Sequence, residues 1–137
     1  MKIEVTVTAT VSPTESIEKV ESTIRNIFGN IELKQNNWRD TVIFEGHLKG
    51  IDSLNHLKEL LRRQRIRKAG RAFLSRKFEG DILTFGINRQ AAYVGKISFY
   101  HAQEAPLGPI QVTVHGDTDK VVDYLCDSET GYRNYQR

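Results

Sequence analysis

The chain has 137 residues, 39% hydrophobic and 27% charged, with twenty Lys or Arg against seventeen Asp or Glu and a formal net charge of +3. That length suits one domain, and the composition is that of an ordinary globular protein, which excludes a disordered or fibrous chain. The lone Cys126 excludes an internal disulfide, no apolar run approaches the ~18 residues a membrane helix needs, and the N-terminus lacks a signal peptide's apolar core, so the cytoplasm is expected.

Ile3, Val5, Val7, Ala9 and Val11 alternate with Lys2, Glu4, Thr6, Thr8 and Thr10, the period of a strand with one buried face. Ser12-Pro13-Thr14-Glu15 then has the spacing of a capping box. Ser12 can accept from the Glu15 backbone, Glu15 can reach back, and Pro13 stands where a missing N–H costs nothing. This predicts a helix with the stripe Ile17, Val20, Ile24, Ile27 and Phe28, ended by Gly29 as a left-handed cap. Ile31 and Leu33 begin a second strand, and Val42, Phe44, Gly46 and Leu48 line a third. Asn36-Asn37 is the predicted turn between them, with Trp38 at the bend.

Asp52 or Ser53 can cap a second helix whose stripe is Leu54, Leu57, Leu60 and Leu61. Beyond Gln64 that stripe loses phase, because Lys68 and Arg71 stand where apolar residues belong. The helix must stop, bend near Gly70, or project into solvent as a cationic arm, and a further segment reads Ala69, Ala72, Phe73. Leu83, Phe85 and Ile87 predict a fourth strand, Ile97 and Phe99 a fifth, and Ile110, Val112 and Val114 a sixth. Asp117-Thr118-Asp119 opens a last helix through Val121, Val122 and Leu125. A single domain over 1–130 and a flexible tail over 131–137 follow. The order βαββα, then more strands and a helix, predicts an α+β fold: a mostly antiparallel sheet with helices packed on one face.

The sharpest feature is charge. Nine of the twenty residues from 58 to 77 are Lys or Arg and only Glu59 opposes them, so this window carries +8 and the rest of the chain −5. Arg62, Arg63, Arg65, Arg67, Lys68, Arg71, Arg76 and Lys77 are the candidate nucleic-acid-binding residues. Clustered cations displace counterions from a polyanion, and the arginine fork pairs with phosphate bidentately. Six such contacts to a single strand would make log K fall with log salt at a slope of about −4. The bland alternative is a solvated helix end, where the macrodipole favours two or three basic residues. A third reading is a structural subunit whose basic segment docks an acidic protein.

Signals for base reading or catalysis are weaker. There is no GxxG clamp, and LTFGINRQ does not match the aromatic signature of an RNA-recognition sheet. Phe73, Phe78, Tyr93, Phe99 and Tyr100 could stack bases or simply fill the core. His47, His56, His101 and His115 lie too far apart for a helical metal motif. Gly95-Lys96 lacks the rest of a phosphate loop, with Gln90 and Ile97 at its other key positions. No acid, base and nucleophile set can be assembled, so neither an enzyme nor a cofactor is expected.

Asn88-Arg89-Gln90-Ala91-Ala92, then Gly95-Lys96, then Glu104-Ala105-Pro106-Leu107-Gly108-Pro109-Ile110 resemble an archaeal family grouped with RNA-binding proteins, including a predicted exosome subunit. The likeness spans nearly residues 1–130, and the Pro-Leu-Gly-Pro-Ile block is its most specific element. The resemblance implies a fold like that of the ribosomal large-subunit protein that binds 5S ribosomal RNA, often a homodimer, and a partner RNA of structured or ribosomal type read with low sequence specificity. It supplies no catalytic residues. Tyr124 stands where family members more often have Trp.

Overall fold

The structure, a computed structural model, describes residues 2–101 and 108–127. The alternating opening segment forms β1 (Ile3–Val11), with every second residue from Ile3 to Val11 buried. It is followed by α1 (Ile17–Phe28), β2 (Leu33–Trp38) and β3 (Thr41–Lys49). A short 3-10 turn leads into α2 (Asn55–Arg63), then α3 (Arg67–Leu74), β4 (Phe78–Glu79) and β5 (Ile82–Ile87). The remainder comprises α4 (Arg89–Tyr93), β6 (Ile110–Gly116) and α5 (Thr118–Cys126).

The strands form one sheet in the order β2-β3-β1-β6-β5-β4, with all pairs antiparallel. Register keeps the apolar rows aligned: Val7 pairs with Gly46 on one side and Val112 on the other, and Val112 pairs with Phe85. Since side chains alternate across a strand, one slipped residue would turn these rows toward water. The helices cover this apolar face, as expected. α1 packs against α2 and α4, while α5 packs against α2 and α3. Ile24, Ile27, Leu57, Leu61, Leu74, Val121 and Leu125 meet the strand residues in one hydrophobic cluster. Full burial of each such side chain contributes roughly 1.5–3 kcal/mol. The opposite face is polar, with Thr6, Thr113 and Thr84 side by side across β1, β6 and β5. No described helix is long and apolar enough to cross a membrane.

Several expectations need correction. Glu15 does reach back, accepting from the Ser12 N–H at 2.9 Å, but the helix starts later, with the Ser16 hydroxyl accepting from Lys19 N–H at 3.3 Å. Glu15 lies just before the helix, where its carboxylate also accepts from a buried arginine, Arg89. Asn36 and Asn37 lie within β2, and the hairpin turns at Arg39-Asp40, where Arg39 takes the left-handed φ of 57°. β2 is an edge strand exposed on most of its length, so polar residues cost it nothing. Among the described residues Ile97 and Phe99 form no continuous strand, and a single bridge joins Phe99 to Ile87. The expected tail at 131–137 and residues 104–107 of the shared block lie outside the described residues.

Candidate nucleic-acid interface

The second helix does not run on as an arm. α2 ends at Arg63 because its leucine stripe ends, and the chain turns through residues 64–66 with Arg65 at φ 59°. Half-buried Ile66 then donates its N–H to the Leu61 carbonyl at 3.2 Å, and α3 starts at Arg67. Gly70 and Leu74 are the buried residues of α3. A Cβ at Gly70 would stand 3.2 Å from the Cys126 sulfur, so glycine lets α3 approach α5 closely. The basic segment therefore lies along the helical layer as two short helices, with the turn between them.

This geometry divides the eight predicted cations. Arg62 pairs with Glu59 one turn away, holding the Glu59 carboxyl below its usual range. Arg71 donates to Asp123 on α5 at 2.8 Å, across 52 residues of sequence. Arg67 is engaged as well, and the Lys77 ammonium sits over the Phe73 ring at 4.8 Å. Arg63, Arg65, Lys68 and Arg76 are exposed; Arg63 also acts on the Glu59 carboxylate that Arg62 binds, while the side chains of the other three have no partner among the described residues. Arg62, Arg63, Arg65, Arg67 and Lys68 cluster around the α2–α3 turn. Arg76 and Lys77 come after α3, whose eight residues span about 12 Å. The engaged cations are not withdrawn from use. The Arg71 and Asp123 side chains are 43% and 69% exposed, and a surface pair of this kind contributes only about 0–1 kcal/mol.

Most of the candidate stacking aromatics belong to the core. Phe73 stacks on Phe99 with centroids 4.5 Å apart, and Phe85 meets Phe99 edge-on. Phe78 is half-buried against the same cluster, and Tyr100 is half-buried. Tyr93 is the exception, 49% exposed.

Two features escaped the periodicity reading. One is α4, a single turn too short to show a period, although Asn88 is an N-cap residue whose side chain accepts from the Ala91 N–H at 3.0 Å. The other is Arg89, 7% exposed, which donates to the carbonyls of Thr10 and Gly108 at 2.8 and 2.7 Å and to Glu15 at 3.0 Å. These bonds tie α4, the end of β1 and the start of β6 together. The motif containing Arg89 thus has a structural use, since a buried guanidinium needs all its partners.

The fold and this segment define an α+β domain with a one-sided antiparallel sheet and a basic helical surface. A family model described as RNA binding matches residues 4–116, and the chain belongs to that family. It is 41% identical over 126 residues to a UPF0201 protein of Metallosphaera sedula, covering 89% of this chain and 86% of that one. A UPF0201 protein of Thermococcus onnurineus is 37% identical over 124 residues, covering 90% of each. The crystal structure of a UPF0201 protein from Methanococcus jannaschii aligns with a TM-score of 0.79 at 33% identity, covering 90% of this chain and 98% of that one.

Proposed function

We propose that the chain is a non-catalytic RNA-binding protein that grips phosphates through its basic segment, with low sequence specificity. Arg63, Arg65, Lys68 and Arg76 make the first contacts, and Arg62, Arg67, Arg71 and Lys77 join by exchanging their present partners for phosphate. The observation that carries this reading is the set of four exposed cations, three of them without a partner among the described residues, in a segment of +8 on a chain of only +3. The matching family description supports the same conclusion. The polar face of the sheet does not compete for this role. Its central row is threonine, where sheets that read RNA present stacking aromatics.

The test is fluorescence anisotropy with labelled RNAs, comparing the wild type with the quadruple variant Arg63→Glu, Arg65→Glu, Lys68→Glu, Arg76→Glu. Binding should weaken alike for unrelated sequences, with the thermal melt unchanged. Four to eight phosphate contacts predict a wild-type salt slope of about −3 to −6 on a single strand. Undiminished binding by the variant, or a slope near zero, removes the reading.

A further inference from the structure

Tyr93 and the loop after it form a second surface beside the basic turn. Gln64, the residue that ends α2, clamps the backbone of Ile97 from both sides. Its amide donates to the Ile97 carbonyl at 2.9 Å and accepts from the Ile97 N–H at 2.6 Å. Exposed Lys96 is thereby fixed next to the turn that carries Arg63 and Arg65. From the other side, Asn26 on α1 donates to the carbonyls of Ala92 and Tyr93 at 2.9 and 3.2 Å. A loop held at both ends is a rigid platform, and it presents Tyr93 and Val94, 49% and 66% exposed. The exposed ammonium of Lys19 lies 5.6 Å from the centre of the Tyr93 ring.

The ring lines a cleft of about 410 Å³, bounded also by Lys19, Val20, Gln90 and Ile110 and by the Glu15–Arg89 ion pair, whose carboxylate is neutralised by the guanidinium. That volume falls in the roughly 300–1,000 Å³ range of small-ligand pockets. Gln90 is exposed at its rim, and its amide has no partner among the described residues. An exposed ring, flanking cations and a free amide over a partly apolar cleft are what an unpaired nucleobase needs. The ring stacks, the lysines take the adjoining phosphates, and the amide meets the base edge. Trp38 is also exposed, at 62%, but it sits at the β2–β3 hairpin and does not line this cleft.

We propose that Tyr93 is a stacking site for an unpaired base of the bound RNA, with Lys96 and Lys19 holding the phosphates on either side. This rests on the phosphate-binding role of the basic segment and adds selectivity for loops, bulges or single strands over continuous duplex. Every base has a π-face, so the site need not read sequence.

The experiment compares Tyr93→Ala and Tyr93→Phe on an unstructured oligonucleotide and on a fully paired duplex of the same length, by anisotropy. Loss of one stacked base weakens binding roughly fivefold to a hundredfold. Tyr93→Ala should therefore lose at least about fivefold on the single strand and little on the duplex, while Tyr93→Phe binds like the wild type. In contrast, the charge-reversal variant should lose affinity for both. Equal behaviour of the two Tyr93 variants on the single strand overturns the stacking site and leaves the phosphate surface standing. Equal losses by Tyr93→Ala on strand and duplex also overturn it. A wild type that binds neither RNA removes both proposals.

Discussion

Arg65 is a non-glycine residue at φ 59°, in the left-handed region that costs an L-residue roughly 1–2 kcal/mol. Glycine would relieve that cost but adds freedom to the unfolded chain, which offsets about half of the gain. Arg65→Gly should therefore stabilise the fold by about 0.5–1 kcal/mol in urea denaturation. The same change deletes an exposed cation at the α2–α3 turn, so RNA affinity should fall and the salt slope should become shallower by about 0.7. Stability and binding thus move in opposite directions, which a merely structural arginine would not produce. Unaltered affinity would remove Arg65 from the interface. The sequence reveals the cation but not its backbone strain. Arginine is an unusual choice for a left-handed turn, and nothing in the local pattern marks it as one.

At the level of elements, strand pairing depends on the small residue Gly46. A Cβ there would come within 2.6 Å of the Ile31 Cδ1 and 3.0 Å of the Leu33 Cδ2. Ile31 is 2% exposed and has nowhere to move, so Gly46→Ala should cost about 1–3 kcal/mol by overpacking, visible as a lower Tm. An unchanged melt would mean that the β2–β3 hairpin yields more easily than its packing implies. The longer strands and the leucine stripe of α2 were legible in the sequence because burial on one face imposes a period. The turn at Arg39-Asp40 was not, since β2 is an exposed edge and its asparagines carry no burial signal. The run from 58 to 77 was legible as composition only. That Arg71 meets Asp123 depends on α3 lying against α5, a contact no local pattern encodes. Tyr93 was one aromatic among five until packing covered much of the others and left it exposed.

Across the molecule, the single thiol reports on the whole fold. Cys126 is buried among the helices, and burial, opposed by the nearby Arg71 and Arg67, raises its pKa from 9.0 to about 11. The folded state keeps the proton that the unfolded state releases, so stability is fully present below pH 9 and declines as pH rises through about 11. At pH 8 the thiol should resist an aromatic disulfide reagent in the native protein and react as urea unfolds it. The reaction should follow the loss of helical circular dichroism. Rapid labelling without unfolding would mean that α5 opens on its own. The order of the sheet has a consequence for synthesis. β1 is the first strand of the sheet to emerge from the ribosome yet sits in the middle, between β3 and β6. One of its edges can be satisfied early by β3, but the other must wait for residues 110–116, and the clasp by Arg89 must wait for α4. The nascent chain therefore carries a raw strand edge until β6 has been made, and the central seam closes only after the other strands of the sheet have emerged.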